Sequence, residues 1–257
     1  MRIVSAEAQI ISNITEQHAL AMTERAGRVA YKSEDRITPE SALAFVNGII
    51  SSGHLSVLEH VHITVKLIID RGIVQELTRH RIGAYTNEST RYCNYTKGKF
   101  DEQVTVIQPT FDTQRIGTKI DAVQVTWENA MHAAEKYYTT LIELGCTPQE
   151  ARSVLPLCLK SEIIATYNIR QWFHILEKRT APDCHPDMRF AAFLVFIELE
   201  KEYPNIFTRG RIPAENFTKL PRAVHSILFG ANTPAPVPPS EPLASPEAPF
   251  TGTNTAT

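Results

Sequence analysis

The chain has 257 residues, 43% apolar and 21% charged, with a formal net charge of −2. That is the size of one large domain or two small ones with ordinary globular balance, and it lacks the global positive field that would hold a nucleic acid. Cys93, Cys146, Cys158 and Cys184 are far apart and form no CxxC pair, which argues against a zinc ribbon, a thioredoxin-like motif or a disulfide scaffold.

The N-terminus shows no signal-peptide run, and the longest apolar stretch, near position 193, is only about ten residues, too short for a bilayer. A cytoplasmic protein with no membrane partner is the expectation. A strand over Ile3–Ile11 leads into a helix from Thr15 to Tyr31. Thr38-Pro39-Glu40 then reads as a helix start, with a side-chain cap, proline at the first position and an acid in the first turn, and the helix closes near Gly53. Val61, Ile63, Val65, Leu67 and Ile69 alternate with His62, Thr64 and Lys66, a period of two that predicts a strand with one buried face. Asp70 can cap a helix that buries Ile73, Val74 and Leu77 and ends at Arg79-His80-Arg81.

Val104–Ile107 reads as a further strand. A long helix spans roughly Lys119 to Leu144, with apolar residues at helical spacing from Ile120 to Leu141. Thr147-Pro148-Gln149-Glu150 is a capping box, and Pro156 ends the short helix it starts. Ile163–Tyr167 is a candidate strand, Asn168 caps the next helix through Glu177, and Pro186 opens a last helix to Tyr203. Beyond about Leu228 the chain turns rich in proline, serine and threonine, so 229–257 is expected to be a disordered tail. The expected fold is α+β, a mixed sheet with long helices in one domain, 1–228.

Chemistry concentrates in RHRIGAYTNESTRY, residues 79–92. On composition alone this is either solvated charge at the negative end of a helix dipole or a phosphate site built from hydroxyl, amide and guanidinium donors. Its position just after a buried strand and its NESTR half favour the second reading. Arg-His-Arg, seven residues and then serine resembles the signature of the flavin-dependent thymidylate synthases. Three more blocks resemble that family in the same order: Gly53-His54-Leu55-Ser56-Val57-Leu58-Glu59-His60, Arg152-Ser153-Val154-Leu155-Pro156-Leu157, and Asn168-Ile169-Arg170 with Arg179 eleven residues after Asn168. The likeness covers roughly residues 20 to 205.

The resemblance implies a fold of that family and FAD held by Ser56, Arg79, His80, Arg81, Asn87, Asn168, Ile169, Arg170 and His174. It implies dUMP held by Glu76, Leu77, Thr78, Arg79, Asn87, Glu88, Ser89, Thr90, Arg91, Arg152 and Arg179, with Arg179 facing the uracil ring and stabilising it when deprotonated at N3. NADPH and 5,10-methylenetetrahydrofolate would be co-substrates, dTMP the product, and the sites would be shared within a homotetramer. Thr86 and Asn87 depart from the family's usual Asn-Glu or Asn-Gln pair, and Glu76 stands where glutamine occurs.

Several alternatives stay open on sequence. His60 and His62 would share a strand face, but without cysteines or an HExxH helix no metal is expected. Cys158 is either a buried structural thiol or a nucleophile. Trp172 is either core or a ring-stacking surface. The same arginines would also serve a non-catalytic nucleotide- or RNA-binding module, or a relative that hydroxymethylates a pyrimidine nucleotide.

Overall fold

The computed structural model describes residues 1–218, Leu220 and 222–229; the proline-rich segment from 230 onward lies outside the described residues. The strands are β1 (Arg2–Val4), β2 (Glu7–Ile10), β3 (His62–Asp70), β4 (Ala84–Asn87), β5 (Thr105–Ile107) and β6 (Lys160–Asn168). The helices are α1 (Glu16–Val29), α2 (Ser41–Ser51), α3 (Arg71–Leu77), α4 (Thr113–Ile116), α5 (Ile120–Glu143), α6 (Pro148–Ala151), α7 (Ile169–Arg179), α8 (Pro186–Glu202) and α9 (Arg222–Phe229).

The long strands β3 and β6 form the centre. They pair antiparallel along their whole length, from His62 opposite Asn168 to Asp70 opposite Lys160. On their inner face Ile63, Val65, Leu67 and Ile69 meet Ile163, Ala165 and Tyr167, all at most 2% exposed. The outer face carries the polar alternates: Thr64 and Thr166 share a hydroxyl hydrogen bond of 2.9 Å, and Lys66 pairs with Glu162 at 2.7 Å. The period of two thus sorts side chains by face, and β6 is longer than the sequence alone predicts because its ends, Lys160 and Asn168, are polar.

β2 and β4 flank this pair, giving the order β2-β3-β6-β4. The N-terminal strand expected over Ile3–Ile11 is instead broken after Val4. β1 pairs parallel with β5 in a separate two-stranded sheet, and β2 pairs antiparallel with β3. The apolar pattern runs through the break, so composition alone does not mark it. The second sheet belongs to a smaller core of Tyr95, Val104, Val106, Tyr138, Ala151 and Leu159, packed against α5 and the capping box of α6.

α2 starts at Ser41, not at the Thr38-Pro39-Glu40 signature. The Ser41 hydroxyl accepts from the Thr38 backbone N–H (2.9 Å) and lies 2.8 Å from the Glu24 carboxylate. Ser41 thereby turns the chain before the helix begins. α7 and α8 pack on the main sheet with Trp172, Phe193 and Phe196 wholly buried or nearly so. The Trp172 indole donates to the Ile63 carbonyl at 3.1 Å, which makes it core and removes it as a stacking surface for a ligand ring.

Candidate active site

α3, a tight turn and β4 carry the motif. The Asp70 carboxylate accepts from the Ile73 N–H at 2.8 Å and starts α3 where the sequence predicts. After Leu77 the chain folds sharply, with His80 N–H donating to the Leu77 carbonyl at 3.1 Å. Two phenols brace this turn from below. Tyr85 donates to the His80 carbonyl and lies 2.6 Å from the Tyr167 hydroxyl, which itself donates to the Leu77 carbonyl at 3.2 Å. Burial pushes both phenols up, so they stay protonated. Gly83 lies flat on the Tyr167 ring, where an added Cβ would stand 2.5 Å from ring carbons and 3.0 Å from the Thr166 carbonyl.

Above the turn sits Arg179, at the end of α7. Its Nε donates to His80 Nε2 at 2.9 Å, Nη1 to the Glu76 carboxylate at 3.2 Å, and Nη2 to the Glu76 carbonyl at 3.3 Å. All three nitrogens are anchored, so the plane of the guanidinium is fixed. Because His80 Nε2 accepts, the neutral ring carries its proton on Nδ1. Burial, then the Arg179 charge, then His174, push the His80 imidazole down to about 4. His174 meets it edge-on with ring centroids 5.7 Å apart.

Arg179, Glu76 and Arg79 line a cavity of about 520 Å³ whose remaining wall includes Asp70, Cys158, His185 and Asp187. Arginine, carboxylate and imidazole at the rim of one cleft suit a planar polar ring that both donates and accepts hydrogen bonds. Cys158 at this wall is partly buried, which pushes its thiol up to about 11, and its sulfur packs 3.0 Å from that of Met131.

The second half of the motif lies elsewhere. Arg152 donates to the Thr90 hydroxyl at 3.1 Å, and Arg91, exposed, donates to Gln149 at 2.7 Å. Ser89 begins this turn, accepting the backbone N–H of Cys93. Glu88 is committed to structure: its carboxylate takes a hydrogen bond from Tyr95 (2.8 Å) and an ion pair from Lys160 (3.0 Å), and Arg71 reaches its carbonyl at 3.2 Å.

Between the halves runs β4, which sequence reasoning missed. It pairs with β6 from Ala84 opposite Thr166 to Asn87 opposite Ile163, and at roughly 3.4 Å per residue its four residues hold the halves about 10 Å apart or more. α3 reaches this segment at two points: Arg71 donates to the Glu88 carbonyl at 3.2 Å, and the Tyr85 hydroxyl lies 3.5 Å from the Leu77 carbonyl. One chain therefore presents the Arg179 group and the Arg91–Arg152 group at opposite ends of an edge strand.

The residues expected to hold flavin gather near the Arg179 end. The pairing of His62 with Asn168 brings the turn Leu55–His60 beside the start of α7. Ser56, Arg79, Arg81, Arg170 and His174 are exposed there, and Arg170 pairs with Glu59. Two expected residues are constrained differently. The Asn168 side chain caps α7 through the Gln171 N–H at 2.8 Å, and Ile169 is fully buried in the core. Asn87 stands at the far end of β4 from this group, while Leu77 is buried beneath the turn and Thr78 closes α3.

Three positioning elements were outside the sequence reading: the Tyr85–Tyr167 pair, Arg189 and Asn216. Arg189 is buried and donates to the carbonyls of Thr180 (2.9 Å), Asn216 (2.6 Å) and Thr218 (2.5 Å). Asn216 donates to the Glu177 carbonyl at 2.9 Å and to the Thr180 hydroxyl at 2.8 Å. Together they tie down the end of α7 that bears Arg179. The available signal was an arginine inside the apolar run of α8, where a buried guanidinium needs several acceptors.

The chain is thus a helix-covered antiparallel sheet with arginines at both ends of one edge strand. The family model described as thymidylate synthase complementing protein (Thy1) matches residues 11–205, and the chain belongs to that family. A flavin-dependent thymidylate synthase of Geobacter sulfurreducens is 30% identical over 189 residues, covering 71% of this chain and 78% of the relative. One from Corynebacterium diphtheriae is 28% identical over 200 residues, 73% and 77% of the two chains. The fold resembles the crystal structure of a UMP/dUMP methylase, PolB from Streptomyces cacaoi, bound with 5-Br dUMP (TM-score 0.65, 23% identity, covering 86% of this chain and 98% of that one).

Proposed function

We propose that the protein is a flavin-dependent thymidylate synthase that converts dUMP, 5,10-methylenetetrahydrofolate and NADPH, with one proton, to dTMP, tetrahydrofolate and NADP. The carrying observation is the Arg179 guanidinium, held by three acceptors at the wall of a cavity that Arg79 also lines. A guanidinium so fixed stabilises negative charge on a uracil ring that loses its N3 proton, without reorganising as the charge develops. Arg91, Ser89, Thr90 and Arg152 supply the charge-assisted donors that a phosphate requires. Supplied with both ends of the nucleotide by different subunits of a homotetramer, the site would close across copies of β4.

The exposed cations Arg79, Arg81 and Arg170, with Ser56 and His174, fit the diphosphate and polar edge of FAD, and the surface Arg170–Glu59 pair is weak enough to open for it. FAD, when bound, carries the reducing electrons from NADPH. The chain's own part is to bind, orient and compensate charge. A protonated Cys158 fits a reaction that needs no protein nucleophile. Among the described residues no helix is long and apolar enough to cross a membrane.

The test is turnover of dUMP with the folate, NADPH and FAD, with UMP as a parallel substrate and the product identified by mass. dTMP from a yellow preparation absorbing near about 450 nm, a property of the cofactor itself, is the expected result. A hydroxymethylated product, or a protein that never takes up flavin, overturns the proposal.

A further inference from the structure

The turn Ser89-Thr90-Arg91 directly follows an acid, Glu88. A carboxylate beside a group that holds a phosphate would repel the ligand and compete for its arginines. Yet neither arginine has a carboxylate partner among the described residues. Arg152 donates to the Thr90 hydroxyl; Arg91 donates to the neutral amide of Gln149 and lies over the Tyr92 ring at 5.4 Å. Both guanidinium charges are left uncancelled.

The reason lies in what claims Glu88. Its backbone N–H donates to the Glu162 carbonyl at 2.8 Å, and its carbonyl accepts from Arg71 at 3.2 Å. One carboxylate oxygen accepts from the Tyr95 hydroxyl at 2.8 Å, and the other pairs with Lys160 at 3.0 Å. The Glu88 side chain is 11% exposed and that of Lys160 18%. A pair so far out of water attracts strongly and is costly to break. Tyr95 is buried as well, which pushes its phenol far above the ordinary range and keeps it a donor. Lys160 also pairs with Glu162 at 2.9 Å, and Glu162 with Lys66 at 2.7 Å. From Glu88 to Lys66 the charges thus alternate in sign across the sheet and cancel.

We propose that Lys160, at the start of β6, is a positioning residue for the phosphate turn: it masks the Glu88 carboxylate and holds it off Arg91 and Arg152, so that both keep their charge for the nucleotide phosphate. The inference rests on the assignment of Ser89, Thr90, Arg91 and Arg152 to that phosphate. It accounts for an acid at the centre of an anion-binding motif. Lys160 is not itself a ligand contact in this scheme. Its charge is spent on two carboxylates, and its effect on the nucleotide passes through Glu88.

Calorimetric binding of dUMP, inorganic phosphate and deoxyuridine to the intact protein tests this. Lys160→Met keeps the length of the stem and removes the charge. It is expected to weaken dUMP and phosphate by roughly tenfold or more, as the released carboxylate repels the anion or pairs with an arginine. Deoxyuridine, which has no phosphate, should bind as it does to the natural protein. Adding Glu88→Gln removes the carboxylate, and the double variant should recover dUMP affinity to within about threefold. A double variant as weak as Lys160→Met would overturn masking, and so would an equal loss of deoxyuridine. Glu88→Gln alone leaves Lys160 its Glu162 partner and should tighten phosphate by about two- to fivefold. A tenfold loss there would overturn the proposal, and this variant decides the matter should Lys160→Met fail to fold. A natural protein that binds neither dUMP nor phosphate would overturn the phosphate assignment and this inference with it. Natural binding that Lys160→Met leaves unmoved would overturn this inference alone.

Discussion

At Arg179 the requirement is planarity as much as charge. Its three nitrogens meet a ring nitrogen, a carboxylate and a carbonyl, a pattern of fixed directions that an ammonium cannot reproduce. Arg179→Lys is expected to lower kcat/KM for dUMP by roughly 100-fold, the loss found when one preorganised donor is removed, with flavin retained; steady-state kinetics and the visible spectrum check it. His80 adds a pH signature. Its ring is held near about 4 against an ordinary 6.5, so between those values the unfolded chain binds a proton that the folded one refuses. The contribution of His80 to stability is full above 6.5 and is lost as pH falls toward 4. Urea midpoints at pH 7 and pH 5 should therefore fall further in the natural protein than in His80→Gln. Cys158 makes the converse case: a thiol raised to about 11 is inert at neutral pH, and Cys158→Ala should keep turnover within about threefold of normal.

Among the elements, those with local chemistry were legible. Asp70 and Asn168 cap α3 and α7 through the third residue on, and β3 shows its buried face in plain alternation. β4 was not legible, because Ala84-Tyr85-Thr86-Asn87 is an edge strand with only Tyr85 turned inward, and a mostly exposed tetrad has no apolar period to read. The start of α2 misled for a related reason: Thr38-Pro39 carries the local signature, but a tertiary hydroxyl–carboxylate contact from Ser41 to Glu24 decides the outcome. The site followed the same rule. Its residue types were visible as a resemblance, whereas the partners of Arg179 and Glu88 depended on which distant segments lie side by side. The turn before β4 offers a direct test. Gly83→Ala pushes a methyl against the Tyr167 ring and the Thr166 carbonyl, and should cost about 1–3 kcal/mol in urea unfolding while also loosening the turn that carries His80.

On the scale of the whole molecule, the two arginine groups occupy separate ends of the sheet within one chain. If sites close between subunits, Arg91→Ala and Arg179→Lys variants damage different halves of each site. Co-refolding the two inactive variants should then restore roughly a quarter of the normal activity, since that fraction of sites draws an intact half from each parent. No recovery on mixing, with hybrid oligomers verified by mass, would show that each chain builds its site alone. Deleting the segment after Gly230 should leave turnover unchanged, measured beside the full chain.

β4 also explains why a motif can insist on a spacing. The residues between Arg81 and Ser89 are a pleated rod as much as a linker, and a pleated rod has both a length and a parity. One inserted residue would turn every later side chain to the opposite face, carrying Thr90 away from Arg152; two would restore the face but lengthen the rod by about 7 Å. The interval in this motif is thus a gauge block that sets the spacing and the facing of the two arginine groups within one chain.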